Sequence, residues 1–201
     1  MFDHLLRGLK DRLLAPLATL LRGVPPNLLS VLALVVGLAA AWAALRAAWG
    51  AGLVLWLVNR VLDGLDGTVA RLAGRQTDFG GYVDIMLDFV VYAAVPLGLA
   101  LGAGGGDVLL AAAVLEAAFF VNAASWMYLS AVLEKRASGA ASTGELTTVT
   151  MPPALVAGFE TVVFFALFFL MPHRLVLLFG LMAGLVGVNI VQRLLWARRV
   201  L

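Results

Sequence analysis

The sequence predicts an all-α, polytopic membrane protein, with six transmembrane helices and an N-terminal amphipathic interfacial helix. Three observations carry that reading. Of 201 residues, 63% are hydrophobic and 13% charged, with a mean hydropathy of +1.01, which leaves too little polar surface for a soluble domain of this length. Six apolar stretches approach the roughly 20 residues that a helix needs to cross a hydrocarbon layer ~30 Å thick. The basic residues fall almost entirely on one side of the arrangement those six stretches define.

Residues 1–25, "MFDHLLRGLKDRLLAPLATLLRGVP", form the interfacial element. Leu5, Leu6, Leu9, Leu13, Leu17 and Leu20 recur at helical spacing, while Asp3, Arg7, Lys10 and Asp11 fall largely elsewhere around the helix. Such a helix lies with its apolar side in the membrane, and Pro25-Pro26 then turns the chain inward. Residues 26–201 form the six-helix domain. Its spans are Leu28–Trp49, Leu53–Leu72, Val83–Leu101, Val108–Leu133, Ala154–Met171 and Val176–Trp196. Breakers separate most of them: Gly50-Ala51-Gly52, the Gly102–Asp107 run "GAGGGD", Pro152-Pro153, and Met171-Pro172-His173-Arg174. No internal repeat and no cleavable signal peptide is expected.

Orientation follows from the positive-inside rule. With a cytoplasmic N-terminus, Arg7, Lys10, Arg12, Arg22, Arg71, Arg75, Lys135, Arg136, Arg193, Arg198 and Arg199 all lie on the cytoplasmic side. Arg46 and Arg174 lie outside, and Arg60 falls within a span. Both termini are therefore expected in the cytoplasm of a cell (inner or plasma) membrane. A net charge of +2 gives no reason to expect nucleic acid as a partner; membrane lipids are the expected surroundings. The chain has no cysteine, which excludes a disulfide framework, a thiolate metal site and a Cys nucleophile.

Against this background "VLDGLDGTVARLAGRQTDFGGYVDIMLDFV", residues 61–90, is anomalous. Asp63 and Asp66 are three apart and Asp84 and Asp88 four apart, so each pair shares a helix face. The first pair approaches the cytoplasmic end of the second span, and the second pair opens the third, just after a turn expected at Gly80-Gly81. Two antiparallel helices would bring the four carboxylates together. Each would cost ~2.5–3.5 kcal/mol near a helix centre if uncompensated, less toward the interface. One reading pairs them with Arg60, Arg71 and Arg75 as salt bridges between helices. That leaves a crowded negative site and does not explain the glycines. The other gives them hard divalent cations, since all-oxygen ligand sets suit Mg²⁺ or Mn²⁺.

Asp63-Gly64-Leu65-Asp66-Gly67-Thr68-Val69-Ala70-Arg71, followed by Gly80, Asp84 and Asp88, reads D-x-x-D-G-x-x-A-R-x₈-G-x-x-x-D-x-x-x-D. This resembles the signature of the CDP-alcohol phosphatidyltransferases, with eight fixed residues filled over 26 positions. The resemblance implies transfer of a phosphatidyl-type group from a CDP-linked lipid donor to the hydroxyl of a small polar alcohol acceptor, with release of CMP. It implies that Asp63, Asp66 and Asp84 ligate a pair of divalent ions, Mg²⁺ or Mn²⁺. Asp88 would complete the metal site and act as catalytic general base. Gly67, Ala70 and Gly80 would let the cytidine nucleotide lie close to the helices, with Arg71 near it. It also implies a homodimer.

Physical chemistry agrees with those roles. A pyrophosphate is anionic and does not enter a four-carboxylate site without cations between them. Two ions ~3.5–4 Å apart can stabilise the attacking and leaving oxygens of an in-line displacement. An alcohol is a weak nucleophile at neutral pH and gains from a carboxylate within hydrogen-bond reach. Gly67 and Gly80 suit close ligand approach or close helix packing equally. Asn59, one turn before Asp63, either supports a metal ligand or bonds across helices. Glu160 is a candidate for the acceptor pocket, and Glu116, Asn122, Ser125 and Asn189 for interhelical hydrogen bonds. A metal-ion or proton transporter would also carry carboxylates within spans, but nearer mid-bilayer and in discontinuous helices. The acceptor alcohol is not encoded in any motif of the chain.

Overall fold

The computed structural model describes residues 14–136 and 158–201, and every regular element among them is helical. Residues 14–20 form a helical segment. The rest of the amphipathic stretch before it and residues 137–157, which include Pro152-Pro153, lie outside the described residues. Six helices follow: α1 (Pro26–Leu45), α2 (Trp49–Ala73), α3 (Asp78–Ala103), α4 (Gly106–Lys135), α5 (Gly158–Leu170) and α6 (Leu175–Val200), with a 3₁₀ turn at Pro172–Arg174 before α6.

Among the described residues, four segments are long and apolar enough to cross a membrane: α1, α3, α4 and Pro172–Val200. The protein is a membrane protein on that ground. The other two predicted spans are helical as well, but α2 carries Arg60, Asp63, Asp66 and Arg71, and α5 has 13 described residues.

Local chemistry sets the boundaries. Pro26 begins α1, where a missing N–H costs nothing and the fixed φ suits the helix. The break between α1 and α2 differs from the expectation. It falls at residues 46–48, and Gly50 and Gly52 lie inside α2. Ala47 makes the turn with φ of 55°, a left-handed value disfavoured for a residue with a Cβ. Gly52 serves packing instead, since a Cβ there would run into the Phe169 ring of α5. The turn before α3 also differs: it occupies residues 74–77, not Gly80-Gly81. Gly74 ends α2 with φ of 63°, and the Thr77 hydroxyl caps α3 by accepting from the Gly80 amide at 3.0 Å. Gly80 and Gly81 are therefore in the first turn of α3.

Lipid chains are as apolar as leucine, so helices here associate through close approach rather than through exclusion of water. α1 packs along both α2 and α3. A Cβ on Gly98 would strike the Ala41 carbonyl of α1, and one on Gly102 the Ala44 carbonyl. This pair, spaced G-x-x-x-G on α3, lets the two backbones meet. On the other side α4 packs on α6, and α5 lies against α2. Buried Trp56 stacks on Phe165 at 4.7 Å between centroids, and Phe168 meets Phe179 edge-on at 4.8 Å, joining α2, α5 and α6. Arg193, near the end of α6, is buried and ties α6 to α4. Its guanidinium donates to Asn122 Oδ1 at 2.9 Å and Ser125 Oγ at 2.6 Å. Asn122 and Ser125 thus act as the interhelical hydrogen-bonding residues the sequence suggested.

Candidate active site

The short 74–77 turn makes α2 and α3 neighbours at their charged ends. Asp63, Asp84 and Asp88 line one cleft, together with Ser30, Ala33 and Leu34 of α1, Asn59 and Arg60 of α2, and Leu87 and Val91 of α3. Its free volume is about 10 Å³, room for roughly one water molecule. Asp66 is nearly fully buried and turns toward α1, where it accepts a hydrogen bond from Ser30 Oγ at 2.6 Å. It also accepts from the Gly67 amide.

Arg60 dominates the electrostatics. Its Nη2 donates to Asp88 Oδ1 at 2.7 Å, and its Nη1 lies 3.7 Å from Asp63 Oδ2. Nη1 also donates to the Tyr92 hydroxyl at 3.0 Å, and Nε to Asn59 Oδ1 at 2.8 Å. The guanidinium carbon sits 4.6 Å from the Trp56 ring centroid and 5.1 Å from that of Tyr92, within cation–π range of both. Asn59 is fixed in turn, since its Nδ2 donates to the Ala33 carbonyl at 2.7 Å. Its side chain therefore both crosses to α1 and supports Arg60.

The predicted nucleotide-side residues form a separate group near the 74–77 turn. Gly67, Ala70 and Arg71 share a face of α2, and Arg71 Nη2 donates to Thr68 Oγ1 at 3.3 Å. Among the described residues a Cβ on Gly67 would meet only Arg71 Nη1, at 3.4 Å, so none of their helices requires a glycine there. Gly80 is tighter: a Cβ would lie 3.1 Å from Thr77 Oγ1 and 3.4 Å from Asn27 Oδ1. Glu116 is in α4 and its Oε1 is buried without a hydrogen-bond partner among the described residues. Glu160 is in the first turn of α5. Neither lines the cleft.

The donor set fits a hard divalent cation in chemical type, for every candidate ligand is a carboxylate oxygen. Among the described residues, no three carboxylates stand close enough together to hold one ion, and Arg60 lies between Asp63 and Asp88. Ser30, Arg60 and Tyr92 were not singled out from the sequence as site residues. Arg60 did carry a signal: with Trp56 at i−4 and Asp63 at i+3, one face of α2 presents an aromatic, a cation and a carboxylate in register.

Comparison with known proteins adds the following. The family model described as CDP-alcohol phosphatidyltransferase matches residues 24–191. The inner membrane protein YnjF of Escherichia coli K12 is 38% identical over 113 residues, covering 56% of this chain and 54% of YnjF. The archaetidylinositol phosphate synthase of Pyrococcus horikoshii is 36% identical over 81 residues, 40% of this chain and 43% of that protein. The chain thus spans about half the length of these curated relatives. The crystal structure of the Mycobacterium tuberculosis phosphatidylinositol phosphate synthase with CDP-DAG bound superposes with a TM-score of 0.72 at 21% identity. The match covers 92% of this chain and 94% of that one, and it establishes a shared fold.

Proposed function

The chain belongs to the CDP-alcohol phosphatidyltransferase family, and from that premise we propose that it transfers a phosphoalcohol group from a CDP-linked lipid to the hydroxyl of a small polar alcohol, releasing CMP. The observation that carries the reading is the complete eight-residue signature, three of whose aspartates, Asp63, Asp84 and Asp88, line one cleft between α2 and α3.

On this reading Asp63, Asp66, Asp84 and Asp88 would hold Mg²⁺ or Mn²⁺, two ions in the fullest form of the site. The metal supplies positive charge for the pyrophosphate and Lewis acidity at its oxygens. Ser30 holds the Asp66 carboxylate in place from α1. Asp88 accepts the proton of the acceptor hydroxyl as the new P–O bond forms and the bond to CMP breaks. Gly67, Ala70, Arg71 and Gly80 lie beside the charged ends of α2 and α3 and would receive the cytidine nucleotide. The positive-inside count supports a cytoplasm-facing site with both termini cytoplasmic, where a nucleotide head group meets the leaflet that holds its acyl chains. A homodimer is the assembly implied by the family resemblance.

The test is release of CMP from CDP-diacylglycerol by the purified protein, assayed with Mg²⁺ or Mn²⁺ against a panel including inositol phosphate, glycerol phosphate and serine. Release that depends on one acceptor supports the reading and names the substrate. No CMP release with any acceptor, alongside cation flux in proteoliposomes, would replace it with the transporter alternative.

A further inference from the structure

We propose that Arg60 is the counter-cation of the acidic cleft and competes with divalent metal for Asp63 and Asp88, so that metal loading displaces its guanidinium. The proposal rests on the reading of these carboxylates as metal ligands.

Space and charge make the two occupants exclusive. The guanidinium already uses Asp88 Oδ1 at 2.7 Å and lies 3.7 Å from Asp63 Oδ2. The remaining cleft holds about 10 Å³, roughly one water. Mg²⁺ requires near-octahedral oxygens, so at these two residues it would need the carboxylate oxygens that the guanidinium engages. Like charges sharing carboxylates also repel in a site partly withdrawn from water. Metal at Asp63 and Asp88 therefore requires the guanidinium to leave them.

The surroundings give it somewhere to go. Asn59 Oδ1 and the Trp56 ring engage Arg60 without involving a carboxylate, while the Tyr92 hydroxyl engages it and is also hydrogen-bonded to Asp88. Asn59 is itself anchored to the Ala33 carbonyl. A short retreat along the Trp56 face leaves the charge partly satisfied while freeing both aspartates. This arrangement neutralises part of the cleft before metal arrives and sets the affinity with which metal is held.

The experiment measures Mn²⁺ binding to the full-length protein in detergent, reading free Mn²⁺ by electron paramagnetic resonance. Arg60→Gln removes the competing charge and is expected to tighten Mn²⁺ binding about 10- to 100-fold, the worth of a charged hydrogen bond. Arg60→Lys, a point charge without the planar fork, should fall between. Unchanged or weaker binding in Arg60→Gln overturns the proposal and makes Arg60 a support of the ligands. If neither protein binds Mn²⁺, the metal reading falls with it, whereas failure of the transferase reading alone appears in the CMP assay. A second measurement needs no Arg60 variant. Saturating Mg²⁺ should change the near-ultraviolet absorbance of the wild type, and Trp56→Phe should lose that change. Demonstrated Mg²⁺ binding without a Trp56-dependent signal also overturns the proposal.

Discussion

Ser30→Ala tests whether Asp66 is a metal ligand held from a neighbouring helix. The Ser30 hydroxyl donates from α1 to Asp66 Oδ2 of α2 at 2.6 Å in a buried setting. Interhelical hydrogen bonds within bilayers average ~0.6 kcal/mol and reach ~1.7. Bonds to charged groups elsewhere are worth ~1.5–3 kcal/mol. The two ranges meet near 1.5 kcal/mol, the expected loss of stability. For a chain of this size that corresponds to a fall of about 3–6 °C in the thermal midpoint. Removing a partner that orients a ligand should also weaken Mn²⁺ binding ~10- to 100-fold. Ser30→Thr keeps the hydroxyl and should restore much of both. Thermal unfolding in detergent without metal, followed by Mn²⁺ titration, reads the two effects separately. A stability loss with unchanged Mn²⁺ affinity would leave Asp66 a structural residue. No change in either would refute the argument that Ser30 holds it.

Asp88→Asn keeps shape but not basicity, so turnover should fall ~10²–10⁴-fold, largely in kcat, while metal-dependent CMP binding by calorimetry survives. Loss of CMP binding as complete as in Asp63→Asn would make Asp88 chiefly a ligand. Gly98→Val drives a side chain into the Ala41 carbonyl and should cost about 1–3 kcal/mol of stability in a melting assay. Gly180→Ala meets nothing within 4 Å and should be neutral or better. Chelation with EDTA should abolish CMP release, and added Mg²⁺ or Mn²⁺ should restore it; activity that persists after exhaustive chelation would remove the metal from the mechanism. Because the chain has no cysteine, Asp107→Cys gives a single label site in the exposed first turn of α4. It should react with impermeant maleimide only from outside the cell, and reaction from the cytoplasmic side alone would invert the topology.

Much of this was legible from the residues themselves. Asp84 and Asp88 were placed together by spacing alone, because a four-residue interval fixes a helix face, whereas Asp66 turns to Ser30 of α1 instead of joining Asp63 in the cleft. Breakers were less dependable. Gly50 and Gly52 read as a turn, yet Gly52 is helical because the Phe169 ring needs the room, and the turn falls at Ala47. A glycine marks either a turn or a close contact, and only tertiary packing decides which. The Gly98–Gly102 pair illustrates the same point from the other side, for its carbonyl partners lie more than fifty residues earlier in the chain. Ser30 and Tyr92 were invisible for that reason: each is an ordinary residue until α1 and α3 bring it to the carboxylates. The burial of Arg193 against Asn122 and Ser125 was not legible either, because counting charges locates helix ends without saying which way a long side chain turns.

The helix that carries the most chemistry is the one least suited to lipid. α2 fails the apolar test for a span that α1, α3 and α4 pass, and it fails through Arg60, Asp63, Asp66 and Arg71. Its charged residues other than Arg71 are partly or fully enclosed by the helices on either side. α1 contributes Ser30 to Asp66 and the Ala33 carbonyl to Asn59; α3 contributes Asp88 and Tyr92 to Arg60. The Gly98 and Gly102 contacts that press α3 onto α1 therefore act at a distance on the site, since both helices wall the cleft. On this argument a Gly98→Val substitution that still inserts and folds should disturb metal binding too, although residue 98 lies almost three helical turns from Asp88. If Mn²⁺ affinity in that variant equals the wild type while its melting point falls, the cleft is held locally by Arg60 and its partners, and the helix packing serves stability alone.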